Sequence, residues 1–329
     1  MKKSKKILIS LCLILILGSL LTGCSDKTYG NYKKAVEKTD GISKSSGEFI
    51  LNTKIDFNRE GLSKEVADEM NMYSDFYLEQ KNKSDVNKTT SDIYVKLGGL
   101  GFNVTYYDDD KRAFVKLPMV DKYIYLDDLM KMGAYSESEI TSYSNNLISK
   151  ESIRAIKALW NDSIKKNDVL KGNKSLINTP EGEVKAEKYT IKYSDKLLKE
   201  LLLKTFEILY KDVDFKSNAK MKIANKDLSK ESVMEIKKYI ELINIEKFEL
   251  NSYIDIDGYI VKEDMKIYFN FSGDNQYIKK FSMNFSSKLF NIEKNQNIVF
   301  PKYDENTFIS RNELSKGIPS IYKNIFNKK

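Results

Sequence analysis

The sequence predicts an α+β protein, an antiparallel sheet with helices packed on one side of it. Three observations predict this. The C-terminal third alternates apolar and polar residues in three successive runs, a matching period of two fills residues 49–57 and 75–126, and the stretches between them carry apolar residues at helical spacing behind serine or threonine caps. A sheet that is dry on one face and wet on the other has to bury the dry face, and capped amphipathic helices supply the cover. With 329 residues, 41% of them hydrophobic and 12% aromatic, the chain can bury a sizeable core in a single domain.

Taken in order, Thr28 caps a first helix in which Tyr29, Tyr32 and Val36 share a face, and Thr39-Asp40-Gly41 stops it. Phe49, Leu51, Thr53, Ile55 and Phe57 then alternate with Asn52, Lys54, Asp56 and Asn58, the pattern of a half-buried strand. A short helix follows Ser63, with Val66, Met70 and Tyr73 on one side. From Asp75 to Leu126 the chain reads as antiparallel strands: Ile93, Val95 and Leu97, a bend at Gly98-Gly99, Phe102, Val104 and Tyr106, a turn at Asp108-Asp109-Asp110, Ala113 to Val115 ended by Pro118, and Tyr123 to Leu126.

Ser136 and Glu139 form a capping box before Ile140, Tyr143 and Leu147; the helical period breaks near Ser149 and restarts at Ile153, Ile156, Trp160 and Ile164, so two helices are expected between 137 and 166. Leu170 to Tyr193 predicts a hairpin turning at Thr179-Pro180-Glu181-Gly182. Asp195 to Tyr210 is apolar over more than half its circumference, which predicts a helix covered from two sides. Residues 212–227 carry no clear pattern, and a helix from Ser229 takes in Ile236, Ile240 and Ile243. Last come Phe248, Leu250, Ile254 and Ile256, a two-residue turn at Asp257-Gly258, then Met265, Ile267, Phe269 and Phe271, and finally Phe281, Met283, Phe285 and Leu289.

Composition narrows the function. The net charge of +8 falls to about +4 without the four lysines at positions 2, 3, 5 and 6, and the remaining lysines alternate with acids instead of forming a stripe, so a nucleic-acid partner is not expected. Histidine is absent, which removes the commonest general base and zinc ligand. Asp108-Asp109-Asp110 and Asp255-Ile-Asp257-Gly258 each resemble part of a cation loop, but three consecutive acids at a hairpin tip cannot all face one ion and the second lacks the later acids, so both read as turns. Ser163, Ser217 and Ser320 each precede a lysine by three residues, a nucleophile pattern that stands here without its Lys-Thr-Gly or Ser-Asp-Asn companions. Leu97-Gly-Gly-Leu-Gly101 lacks the lysine and helix of a phosphate loop. No enzyme, metal or cofactor is expected. The remaining candidates are apolar: Phe49, Leu51, Phe102, Val104, Trp160, Phe269, Phe281 and Phe285 either fill a core or line a ligand cavity, and periodicity alone does not separate the two.

The N-terminus adds an address. A basic head, Met1-Lys-Lys-Ser-Lys-Lys, an apolar run from Ile7 to Leu17 and small residues ahead of Cys24 make a secretory leader, too short for a spanning helix of about 20 residues. Leu21-Thr22-Gly23-Cys24 resembles a bacterial lipobox. That resemblance implies diacylglyceryl transfer to the Cys24 sulfur, cleavage between Gly23 and Cys24 by lipoprotein-processing enzymes, and a lipid anchor on the outer side of the cell membrane. Cys12 leaves with the leader, so the mature chain would hold no free thiol and no internal disulfide. The expected organisation is a signal peptide over 1–23, a lipidated tether over 24–28 and one domain over 29–329.

Together the lipobox, first helix, long strands, helical lid, second group of strands and Asn297-Ile-Val-Phe-Pro301 resemble the LolA/LppX-like lipoproteins. The resemblance implies a curved half-barrel with helices on its concave face, in which several family members hold acyl chains. The helix at 63–73 and the helical region at 195–243 depart from the shorter members. The function it implies is the binding or shuttling of a lipid or other apolar ligand, with the helices of 136–166 as the lid. The alternative is a non-catalytic envelope interaction protein with a filled core.

Overall fold

The computed structural model describes residues 26–118, 120, 122–126, 128, 148–212, 237–272, 278–303 and 307–309. Its strands are β1 (Lys44–Phe57), β2 (Asp75–Asp85), β3 (Lys88–Leu97), β4 (Leu100–Asp108), β5 (Ala113–Lys116), β6 (Ile124–Tyr125), β7 (Val169–Thr179), β8 (Gly182–Ile191), β9 (Ile243–Asp255), β10 (Ile260–Phe271) and β11 (Ile278–Phe290). They form one curved, unclosed eleven-stranded sheet in the order β6-β5-β4-β3-β2-β1-β11-β10-β9-β8-β7. Every pair in it is antiparallel. The helices are α1 (26–40), α2 (Lys64–Met72), α3 (Lys150–Ser163), α4 (Asp195–Lys211) and a helical segment α5 (237–242). This is the expected α+β half-barrel.

Ladder register explains why the sheet has one dry face. Residues directly opposite each other in neighbouring strands point the same way. Following the pairs from β4 gives Phe102, Val95, Leu78, Leu51, Phe285, Met265, Leu250, Ile191 and Val169, an unbroken apolar row from one half of the sheet to the other. On the opposite face the corresponding rows hold Asn52, Asn284 and Lys266, or Lys54 and Ser282. A slip of one residue in any pair would turn that strand's apolar set into water, so the alternation visible in the sequence also fixes the register.

Among the described residues helix cover is concentrated on one half. Tyr32 and Ala35 of α1 are buried against Ile164, Val169, Tyr189, Ile191, Ile254 and Ile260. Ser149 caps α3, accepting from the Ser152 amide, and Ser194 caps α4, accepting from the Leu197 amide. Asp212 at the end of α4 accepts hydrogen bonds from the Ser149 amide and hydroxyl, tying the two helices together.

Several expectations are corrected. Residues 26 and 27 are already helical, so Thr28 lies within α1 and does not cap it. In α4 Leu198 and Leu201 are fully buried and Leu197, Leu202, Phe206 and Leu209 half-buried; the helix meets α3 through Thr205 and α5 through Lys199. Ile243 opens β9 instead of continuing a helix. The β9–β10 turn spans residues 256–259 and not Asp257-Gly258 alone; the Asp255 carboxylate accepts from the Tyr259 amide, and Ile256 is left 95% exposed at the tip. The predicted helix at 137–147 lies outside the described residues, as does the start of the one from Ser229, whose residues 237–242 are helical.

Beyond β11 the chain runs as a belt along the polar face toward β4–β6. Gln296 donates its amide to Asp85 and accepts from Ser46, Phe300 packs on Tyr107 and Phe114, and Tyr123 bridges to Phe308. The Tyr303 hydroxyl donates to Asp109 at 3.0 Å, and the Arg112 guanidinium stacks 3.6 Å over the Tyr303 ring. Burial alone would raise the Asp109 carboxyl, but bonds from Tyr303, Arg112 and Lys111 hold it below its usual value. A carboxyl depressed in the folded state contributes stability that is complete above its ordinary pKa, near ~3.9, and is lost as pH falls through the lower folded value. Acidification below about pH 4 is therefore expected to loosen the belt before the sheet. Hydrogen exchange should quicken at 300–303 and 307–309 while β9–β11 stay protected, and Asp109→Asn should abolish the difference; equal protection of belt and sheet at low pH would contradict this.

Candidate functional site

Among the described residues the dry face is not covered everywhere. Between α1, α3 and the floor made by β1, β11, β10 and β9 lies an open groove of about 560 Å³, within the size range of small-molecule sites. Val36 of α1 and Ile156 and Trp160 of α3 form its walls, and Phe49, Leu250, Met265, Phe285 and Leu289 its floor. Phe49 and Phe285 meet edge to face at 5.2 Å.

Trp160 is fixed from several directions. Its indole N–H donates to the Thr205 hydroxyl of α4 at 2.9 Å, and its ring meets Tyr193 edge-on at 5.9 Å. The Ser163 and Tyr193 hydroxyls donate to its carbonyl at 2.6 and 3.4 Å. Ser163, one of the three serines of the Ser-x-x-Lys pattern, is thus engaged in ending a helix; Ser217 and Ser320 lie outside the described residues.

A polar strip crosses the apolar floor. Tyr189, Ser252, Glu263, Ser287 and Phe49 are successive ladder partners, so Ser252, Glu263 and Ser287 stand on the dry face. The Ser252 hydroxyl donates to a Glu263 carboxylate oxygen at 2.9 Å, and the Tyr32 phenol is in hydrogen-bonding contact with Ser252. Loss of water raises the Glu263 carboxyl above the usual range; Ser252 and Lys157 oppose this and Asp40 adds to it. Burial likewise raises Tyr32, and pushes Tyr193 up to about 12. Three lysines border the groove, and each has a carboxylate: Lys157 of α3 pairs with Asp40 at 2.9 Å, and on the polar side of the sheet Lys262 pairs with Asp264 at 2.7 Å and Lys288 with Glu48 at 3.7 Å.

Of the eight apolar candidates, the structure brings Phe49, Trp160 and Phe285 together in the groove. Leu51 continues the floor row beside Phe285. Phe269 and Phe281 stack on each other at 4.7 Å, beside a separate shallow hollow shared with Lys54, Asp56 and Lys280. Val104 packs with Val115 and Ile124, and Phe102 is 42% exposed near the β3–β4 turn. Sequence reading missed Glu263, Ser252 and Tyr32 as a group. The signal was available in that Glu263 and Ser252 occupy positions where the strand pattern calls for apolar residues.

The acidic turns behave as turns. Asp108 accepts from the Asp110 amide and Asp109 from the Lys111 and Arg112 amides, which occupies the oxygens a cation would need. Among the described residues no group of acids is placed to hold a metal ion, and no helix is long and apolar enough to cross a membrane. Cys24 lies outside the described residues.

No protein-family model matches the chain, and no curated protein matches it. Among solved structures it is similar to a LolA superfamily protein from Nitrosomonas europaea, at 8% identity over 86% of this chain and 97% of that one, with a TM-score of 0.21. At that score the superposition carries no weight for either fold or function, and the fold described above rests on the strand pairing itself.

Proposed function

We propose that this protein is a non-catalytic envelope lipoprotein, held at the outer face of the bacterial cell membrane by lipid on Cys24, that binds or shuttles a lipid or other apolar molecule in the groove beneath α1 and α3. The observation that carries the reading is the groove itself, an opening of about 560 Å³ over a continuous apolar row where a closed core would have packed side chains. Each methylene buried there contributes about 0.8 kcal/mol, so one acyl chain in a dry groove offsets much of the cost of leaving a bilayer. Helix α3, linked to α1 by the Lys157–Asp40 pair, is the element whose movement would admit a chain.

Native mass spectrometry with lipid extraction on residues 25–329, purified without detergent, tests this. Stoichiometric co-purified lipid is the expected result; a bare mass that stays bare after incubation with liposomes would overturn it. For the anchor, Cys24→Ala is expected to shift the protein from the membrane to the soluble fraction, and unchanged membrane retention would remove the lipobox reading.

One observation favours docking onto another envelope component instead. Val66, Met72, Tyr73, Leu100 and Phe102 leave apolar surface exposed around α2 and the β3–β4 turn. A bare mass together with capture of a partner through that surface would support this second reading.

A further inference from the structure

The groove's charge pattern says more about its ligand than its apolar floor does. Lys157 of α3, at its wall, is matched by Asp40, and Lys262 and Lys288 at its edge stand by register on the polar face of the sheet, where Asp264 and Glu48 match them. Glu263 differs. Its only side-chain hydrogen bond among the described residues is from the Ser252 hydroxyl, and no lysine or arginine among them stands at ion-pair distance. The groups that face it from the surrounding elements are Ser252 of β9, Ser287 of β11, Tyr32 and Asp40 of α1 and Lys157 of α3. A carboxylate set in the middle of an apolar floor costs free energy unless a partner arrives.

We infer that the ligand supplies that partner: the groove selects an apolar molecule carrying a basic nitrogen, whose ammonium pairs with Glu263 while its chain lies over Phe49, Met265, Leu250 and Phe285. The inference rests on the groove being a binding site. It also assigns a direction to the choice, because a fatty acid or phosphate head placed beside Glu263 would meet like charge, and a neutral alcohol would gain a hydrogen bond without the charge assistance. Burial raises the Glu263 carboxyl above its usual range, and an arriving ammonium would oppose that shift.

Trp160, the chain's only tryptophan, lines the groove and reports occupancy without a label. The test titrates dodecylamine, dodecanol and dodecanoate, each below its aggregation concentration at neutral pH, into the protein spanning residues 25–329, which keeps every described residue, and follows Trp160 emission. Dodecylamine is expected to bind about tenfold or more tightly than either of the others, as a charge-assisted contact against a neutral or repulsive one. Glu263→Gln keeps the hydrogen bond to Ser252 and is expected to bind dodecanol as before while losing the preference for the amine. Equal or tighter binding of dodecanoate, or an amine preference that survives Glu263→Gln, would overturn the inference and leave the groove standing as an apolar site. No response of Trp160 to any of the three would overturn the groove reading as well.

Discussion

Phe114→Ala is expected to cost about 3–5 kcal/mol of unfolding free energy, the range for removing a fully buried ring from a packed site. Phe114 has no exposed surface, and its ring meets those of Tyr107, Tyr123, Phe300, Tyr303 and Phe308, with Tyr107 stacked at 5.1 Å. Two of those rings, Tyr107 and Tyr123, come from the strands and their flanks in the first half of the chain, and three, Phe300, Tyr303 and Phe308, from the belt in the last tenth; the cage closes only when both are present. The cavity left by alanine would therefore do two things together: lower the midpoint of denaturant unfolding and free Phe300, Tyr303 and Phe308 from β5 and β6. Tryptic cleavage at Lys302 is expected to precede loss of the sheet in the variant but not in the parent protein. A variant with an unchanged midpoint and a protected belt would show that the ring cluster contributes nothing that neighbouring side chains do not already supply.

That cage illustrates what the sequence conceals. The alternation of Phe102, Val104 and Tyr106, or of Phe281, Met283 and Phe285, reports which side of a strand is dry, and it placed most strands because a strand's period is local. Helix caps at Ser63, Ser149 and Ser194 are also local, a hydroxyl and an amide three residues on. Phe300, Tyr303 and Phe308, by contrast, show no period, and what they pack against lies near residues 107–125. Nothing within a window of neighbours reveals such a contact.

The groove was half legible for the same reason. Phe49 and Phe285 could be assigned to the dry face, but whether helices press down on that face or stand off it depends on where α1 and α3 dock, which is a tertiary matter. Glu263 is the instructive residue. Read alone it ends an apolar alternation early; read through the ladder it sits between Ser252 and Ser287 on the same face as Met265 and Phe285. A polar residue at an apolar-face position is a departure from pattern, and departures of this kind concentrate at functional sites because packing does not explain them. Ile256 shows the opposite error, since its apolar character suggested burial while the turn carried it to the surface.

Ser287→Phe separates an open groove from a filled core, because the two arrangements predict opposite signs for its effect on stability. Ser287 faces the groove between Phe49 and Glu263. Where the space above it is open, a phenyl ring enters room already present and covers the floor, so stability is expected to hold or to rise by about 1–2 kcal/mol from added apolar burial. The same ring occupies the volume a ligand chain would use, and lipid retention or dodecanol binding is expected to fall by about tenfold or more, since a volume clash cannot be relieved by rearranging a few contacts. Where the space is already filled, the ring has to displace close-packed neighbours at a cost of about 1–3 kcal/mol. Chemical denaturation and Trp160 titration on one preparation therefore decide the matter. A stable variant that no longer takes ligand supports the carrier, whereas a destabilised one means that α1 and α3 close a core, and the exposed surface around α2 becomes the place to look for function.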